Sequence, residues 1–492
     1  MRFLESESAP QPLTVRLPFQ HKKVDAPLSS LPVSEITRIV GKEHVLTAPE
    51  ERYCYGYDAS KLSAMPDCVV FPGNAEEIAA LLKLANRKRF PVFPRGAGTG
   101  MVGAAIPRGG GLVVSLARLN RIIEIDADNM IGIVEPCVVT GEFQKTVLAQ
   151  GLFYPPDPAS LQFSTLGGNV AMCAGGPRAV KYGVTRDYVM GLELVLPTGS
   201  ILKTGTRTMK GVVGYDLTRL MVGSEGTLGI FTKIILRLLP APEGARTLMA
   251  VFPLLEGAAR AVCEIIKQKV VPSTLELMDQ STIRVVENYM HLGLPLAAEA
   301  LLIIEVDGRE KVLDDDVARV ESVCRHCGAS EIEVARTPGD RDRLWQARRS
   351  ISPALGQIRP DKINEDITVP RTMVPALIRA IRSLADKYGL IIVTFGHAGD
   401  GNIHTNIMLN RKDPDELKRA VSAVEELFRT VLDLGGTLSG EHGVGIAKSP
   451  YFIWEVGQEG FDAMWSIKQA LDPLNILNPG KMFTPDRAFF TG

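Results

Sequence analysis

The chain has 492 residues, which at about 150 residues per domain allows roughly three units or two large ones. Apolar residues make up 45% and charged residues 23%, ordinary globular values that exclude wholesale disorder. Lysine and arginine number 55 against 56 aspartate and glutamate, so no basic footprint points to nucleic acid or to anionic lipid. No apolar run approaches the roughly 18 residues that span a bilayer. Met1 to Gln20 also lacks the basic-then-apolar order of a secretory signal. Seven scattered cysteines, an odd number, give no disulfide framework. The expectation is a cytoplasmic protein, at the membrane only peripherally and through a partner.

Residues 1–40 are rich in proline and read as an N-terminal arm ending in a short helix, Ser34–Val40. From Cys68 to Pro240 strands and helices alternate. Strand candidates are Cys68–Phe71, Pro91–Pro94, Leu112–Ser115, Ile122–Ile125, Ile131–Glu135, Gly191–Leu196 and Ile230–Leu238. Asn74 caps a helix running to about Arg87, with Ile78, Leu81, Leu82 and Ala85 on one face. Gly141–Gln150 reads as another helix. From about Pro242 longer amphipathic helices take over, at Gly257–Gln268, Asp315–Cys327 and Pro414–Leu434. Strands at Leu301–Asp307 and Leu390–Phe395 lie among them, and one more helix near Gly460–Leu471 precedes the C-terminal turns.

The loop Arg95-Gly96-Ala97-Gly98-Thr99-Gly100-Met101-Val102-Gly103 contains a literal G-x-G-x-x-G. A Rossmann site needs that motif to open a helix. Pro107 and Gly109–Gly111 follow too soon for one, so the nicotinamide reading fails on context. Successive backbone N–H groups in such a loop can still form an anion nest. Two further small-residue segments stand beside it in the sequence. One runs from Pro155-Pro156-Asp157-Pro158 through Ser164–Asn169 to Gly175-Gly176-Pro177-Arg178, and the other is Gly223–Ile230. Three such segments suggest a long ligand laid over backbone.

Two histidine motifs carry the remaining chemistry. In Gly396-His397-Ala398-Gly399-Asp400-Gly401-Asn402-Ile403-His404-Thr405-Asn406, the Gly-Asp-Gly turn lets His397 and His404 face one another across a hairpin. Alternation puts His404 and Asn406 on one strand face. Two imidazoles and a carboxylate would suit zinc, iron(II) or manganese; the alternative is a turn capped by Asp400 with ordinary histidines. The second motif is Ser439-Gly440-Glu441-His442-Gly443, whose glycines permit an irregular backbone. Cys324-Arg325-His326-Cys327 has C-x-x-C spacing but no second ligand pair, and reads as a helix end.

The "PRGAGTG" loop, "PPDPASLQFSTLGGNVAMCAGGPRAVKYGVTRDYV" and "GSEGTLGI" resemble the FAD-binding domain of the vanillyl-alcohol-oxidase type over about Pro66 to Pro240. The resemblance extends through the second half, to the FAD-linked D-2-hydroxy-acid dehydrogenases. These include glycolate oxidase large subunits, D-lactate dehydrogenases and D-2-hydroxyglutarate dehydrogenases. It implies an α+β chain: a two-subdomain FAD-binding domain over 41–241, a substrate (cap) domain with a metal site over 242–440, and a segment 441–492 returning to the flavin. Arg95, Gly96, Ala97, Gly98, Thr99 and Gly100 would wrap the FAD pyrophosphate. Pro155, Asp157, Thr165, Gly168, Asn169, Gly176 and Arg178 would line the flavin and ribityl chain. Glu225, Gly226 and Ile230 would contact the adenine side. No His or Cys lies between Gly96 and Gly111, which favours non-covalent FAD.

By the same resemblance, His397, His404 and Glu441 match metal ligands and His442 the catalytic base. Asn406 matches a substrate contact and Arg348 a carboxylate-binding arginine, placed at the start of a helix. Ser352 and Lys362 match further polar substrate contacts. The implied reaction is metal-assisted proton abstraction from a D-2-hydroxy acid, D-lactate or glycolate first, with hydride transfer to FAD N5. Electrons would pass to an iron–sulfur subunit, an electron-transferring flavoprotein or a quinone route, and the enzyme could be a homodimer. D-2-hydroxyglutarate is the alternative substrate. A same-fold flavin transferase resembling the alkyl-dihydroxyacetonephosphate synthases is the alternative class.

Overall fold

The computed structural model describes residues 31–483. Residues 1–30 of the expected arm and the last residues, 484–492, lie outside the described part. The short helix expected at the end of the arm is present as Val33–Val40, buried through Ile36 and Val40.

The first half builds two small sheets and a two-stranded pair, Leu152–Phe153 with Leu239–Pro240. Cys68–Val70, Leu112–Ser115 and Val92–Arg95 run parallel, with Val45–Leu46 antiparallel at one edge. The helix Ala75–Lys88 covers them, its N-terminus capped as expected by Asn74, which accepts from the Glu77 N–H at 2.8 Å. Both flanking strands of the Gly96–Gly111 segment end at its borders, and no helix forms within it. The second sheet is antiparallel, in the order Ile122–Asp126, Ile131–Val134, Ile230–Arg237, Val189–Val195, Ile201–Gly205.

The second half is one antiparallel sheet of seven strands. Their order is Glu331–Val334, Gly244–Phe252, Ala300–Gly308, Thr274–Asp279, Ile391–His397, Asn402–Leu409 and Asp361–Thr368. Four of these strands (244–252, 274–279, 331–334 and 361–368) were not expected from sequence. Alternation explains what each face does. On Asn402–Leu409, Ile403, Ile407 and Leu409 enter a core shared with helices Leu255–Lys267, Glu310–His326, Val374–Tyr388 and Pro414–Asp433. The opposite face is only partly covered, by Gln280–Met290, Pro338–Arg349 and Ile351–Leu355. Its uncovered part carries a row of polar side chains. Cys324 and Cys327 are free and buried at the end of the Glu310–His326 helix, as their spacing led us to expect.

Residues 441–483 cross back to the first half. Val92 N–H donates to Ile476 O, and Asn478 N–H to Val92 O. The helix Phe452–Leu471, kinked at Gly457, is longer at its start than the sequence indicated. Near its end the buried Lys468 ammonium donates to Thr227 O and Leu477 O, each at 2.8 Å, and pairs with Asp472. Asp472 in turn accepts from the Ile476 and Leu477 N–H groups. Removing one member of a buried pair strands the other. Lys468→Met should therefore lower stability by about 3–5 kcal/mol, read from denaturant unfolding of the FAD-containing protein. An unchanged unfolding midpoint would contradict this account of the return segment.

Candidate active site

The hairpin Ile391–His397 / Asn402–Leu409 brings the two histidines together. His397 pairs with Asn402, and His404 pairs with Phe395 one row further on. The imidazoles are diagonal neighbours on one face, Nε2 to Nε2 3.4 Å. The turn between them depends on Gly401, at φ +86°, where a Cβ would sit 2.0 Å from Val369 O. Glu441 comes from the irregular loop after Ser439, and its Oε1 lies 3.6 Å from His397 Nε2 and 3.5 Å from His404 Nε2.

Three donor atoms therefore form a triangle with sides of 3.4–3.6 Å. Bonds of about 2.1 Å at tetrahedral angles put ligand atoms about 3.4 Å apart. The triangle thus fits three corners of a four-coordinate site with one corner open. The donor set also fits: His404 Nδ1 is buried with no partner, so its Nε2 is the nitrogen aimed at the triangle.

The electrostatics of Glu441 and His404 agree with a cation site. Burial works against the Glu441 carboxylate, but His397 and then His404 and His442 outweigh it and hold it at about 2. Burial and the neighbouring His397 push His404 down to about 3, the neutral form a metal requires. His397 is raised well above its ordinary value: burial opposes this, and Glu276 and Glu441 overcome it.

Two carboxylates that sequence reasoning missed support this arrangement, Glu276 and Asp366, both with wholly buried side chains. Glu276, on Thr274–Asp279, approaches His397 Nδ1 at 2.5 Å and accepts from Arg348 Nε at 2.6 Å. Asp366 lies opposite His404 on Asp361–Thr368. It accepts from the N–H groups of Glu441 (2.7 Å) and His442 (2.8 Å), from Ser439 Oγ, and pairs with the buried Lys448. His442 stacks on His404, centroids 5.5 Å apart and planes 17° apart. Its Nδ1 is 3.5 Å from Asp366 Oδ1, and its Nε2 is 3.9 Å from Glu441 Oε1.

Arg348 is at the end, not the start, of its helix, Pro338–Arg349. The readable signal was the capping box from Thr337 to Asp340, which fixes the N-terminus ten residues upstream. The guanidinium lies over the Phe395 ring, 4.7 Å from its centroid. Ser352 lies one turn beyond Arg348 on the short helix Ile351–Leu355; Ile351, Ala354 and Leu355 form the buried face of that helix and Ser352 is exposed. Asn406 is fully buried and accepts from Asn364 Nδ2 at 2.7 Å. Lys362 shares the face with Asn364 and Asp366 but sits four residues from Asp366, about 13 Å along the strand.

Beside the triad, the three glycine-rich segments of the first half converge on one cleft of about 1280 Å³, part of it open to solvent. Arg95, Gly96, Ala97, Gly98, Thr99, Gly100, Thr165, Gly168, Asn169, Gly226 and Ile230 line it. A Cβ on Gly96 would stand 2.6 Å from Thr165 Oγ1, so glycine is what lets the loops approach. Arg95 is buried and donates to Tyr57 O through Nη2, while its Nη1 has no protein acceptor. An orphaned guanidinium nitrogen among backbone N–H groups suits a pyrophosphate. Pro136, Cys137 and Pro158–Ser160 also line the cleft and were not singled out from sequence.

Asp157, Gly176 and Arg178 form a separate cluster, and neither they nor Pro155 belong to that lining. Asp157 accepts from the Arg178 N–H at 3.1 Å and lies within electrostatic reach of His397 and Glu276. Glu225 lines the cleft as well. Its carboxylate accepts from the Val444 and Gly445 N–H groups at 2.6 and 2.7 Å, which ties it to the loop that carries Glu441 and His442. Both of those residues line the cleft. The His397–His404–Glu441 triad and the cleft therefore share a wall. Lys181 and Tyr182 of the first half bind Asp307 of the large sheet, which fixes the two halves against one another.

Known proteins repeat this plan. Residues 66–205 match the family model described as FAD binding domain, and residues 241–482 match the one described as FAD linked oxidases, C-terminal domain. The chain is 45% identical to the glycolate oxidase subunit GlcD of Bacillus subtilis, over 92% of this chain and 96% of that protein. It is 35% identical to a D-lactate dehydrogenase of Anaerostipes hadrus, over 90% of this chain and 95% of that protein. Among solved structures, p-cresol methylhydroxylase superposes with a TM-score of 0.76 at 18% identity, covering 92% of this chain and 96% of that one. Alkyldihydroxyacetonephosphate synthase does so at 0.71 and 21%, covering 92% and 85%. The chain belongs to the FAD-linked oxidases, flavoenzymes built on the vanillyl-alcohol-oxidase fold.

Proposed function

We propose that the protein oxidises a D-2-hydroxy acid, D-lactate or glycolate before D-2-hydroxyglutarate, to the 2-oxo acid. One observation carries the reading: His442 lines the cofactor cleft and stacks on a triad histidine. A proton acceptor thus stands where the two sites meet. The relatives named for glycolate oxidase and D-lactate dehydrogenase support the substrate class, since both names denote 2-hydroxy acids. The transferase reading has only a structural likeness at 21% identity behind it.

FAD in the cleft supplies the two-electron acceptor. His397, His404 and Glu441 would hold a divalent ion, zinc, iron or manganese, whose Lewis acidity makes a bound hydroxyl easier to deprotonate. His442 takes the hydroxyl proton. Its Nδ1 is turned toward the Asp366 carboxylate, 3.5 Å away, and its Nε2 toward Glu441 of the triad. Arg348, pinned over Phe395, turns its terminal nitrogens to the substrate carboxylate. Held at the carboxylate and with its hydroxyl toward His442, the substrate presents one face of C2 to the cleft, the basis of a D preference.

We take FAD as non-covalently bound, with Arg95, Thr165 and Asn169 among its contacts. Cys137 lines the cleft, but burial pushes its thiol up to about 12, far from a nucleophilic thiolate. The electrons leave to a separate acceptor, an iron–sulfur subunit, an electron-transferring flavoprotein or a quinone. Among the described residues no helix is long and apolar enough to cross a membrane.

His442→Ala should slow anaerobic flavin reduction by the substrate about 10²–10⁴-fold while FAD absorbance and metal content stay at wild-type levels. Reduction at the wild-type rate would remove His442 from the reaction. His404→Ala should purify with FAD but with metal at background by elemental analysis. Full metal content in that variant would exclude His404 as a ligand.

A further inference from the structure

Glu276 is fully buried, and its two oxygens are divided between two parts of the site. Oε1 lies 2.5 Å from His397 Nδ1, and Oε2 accepts from Arg348 Nε at 2.6 Å. The backbone dictates the first contact, because Glu276 and His397 are direct cross-strand partners. One row further on, Met278 is opposite Phe395, the ring beneath the Arg348 guanidinium. The strand Thr274–Asp279 is thus the floor on which both groups rest.

We propose that Glu276 is the positioning residue that aligns the metal site with the carboxylate-binding arginine. This deepens the function proposed above and rests on it. By holding the proton on His397 Nδ1, the carboxylate leaves Nε2, the atom 3.4 Å from His404 Nε2, as the donor toward the ion. By holding Arg348 through Nε, it leaves the two terminal nitrogens for a planar carboxylate. A shift of Glu276 therefore moves both anchors of the substrate together, which fixes their spacing. A buried ion pair is a weak source of stability, so stability alone does not account for a charged group in the middle of this sheet.

A neighbouring carboxylate separates this role from simple support of the helix. Glu305, also buried, accepts from Arg341 and from Trp345 Nε1 on the same helix, Pro338–Arg349, and does not touch His397. If Glu276 served only to hold that helix, the two residues would be equivalent.

The test uses FAD-containing protein freed of metal and titrated with zinc(II) against a chromophoric chelator. Glu276→Gln keeps the size but offers one carbonyl oxygen to two donors. It should weaken zinc binding about 10–100-fold, and at saturating zinc it should still raise KM for D-lactate. Glu305→Gln should bind zinc as the wild type does. If Glu276→Gln loses FAD or fails to fold, Glu276→Asp should show a smaller loss of zinc affinity in the same direction. Wild-type zinc affinity in a folded Glu276 variant, or an equal loss in Glu305→Gln, would overturn the inference. A wild-type protein that takes up neither zinc nor manganese would instead overturn the metal reading on which it rests.

Discussion

Charge balance among largely buried groups is the constraint on which this site depends. Three imidazoles, one guanidinium and one buried ammonium converge with three carboxylates, and none of them has much exposed surface. Unpaired, each buried charge would cost several kcal/mol. Glu276 and Asp366 resolve the problem from the sheet side. Burial disfavours the Glu276 carboxylate, yet His397 and Arg348 hold it at about 2. His442 and Lys448 likewise outweigh burial and hold Asp366 below the usual carboxylate range. Each is an anion that anchors a cation or an N–H group the chemistry uses.

The two carboxylates also explain how pieces distant in the chain meet. Glu276 fixes a residue of the hairpin and a residue of the Pro338–Arg349 helix. Asp366 fixes the loop from Ser439 to His442, so that an irregular segment presents Glu441 and His442 side by side. Glu225 holds the next residues of that loop from the other half of the molecule. The wall between triad and cleft is consequently set by two acidic side chains, Asp366 and Glu225, one from each half of the molecule.

Much of this plan could be read in the sequence where the signal is local. The period-two pattern of Asn402–Leu409 put His404 and Asn406 on one face, and on that face His404 meets His397 and Glu441. Proline and glycine after Gly103 excluded a dinucleotide helix, and none forms. What is set by pairing between distant strands could not be read. Glu276 sits within an unremarked Thr-Leu-Glu-Leu-Met-Asp stretch, and only the register against His397, far along the chain, gives it a role. Asp366 is hidden in the same way by its pairing with His404. The misplaced start of the Arg348 helix differs in kind, because the capping box at Thr337 was there to be read.

The most direct test of the central claim is an anaerobic flavin spectrum of the purified protein. It would be recorded with D-lactate, with L-lactate and with glycolate, each before and after treatment with a metal chelator. The account predicts bleaching by D-lactate or glycolate, none by L-lactate, and loss of the bleaching once the metal is removed. Bleaching that survives complete metal removal, or that L-lactate produces equally well, would contradict it.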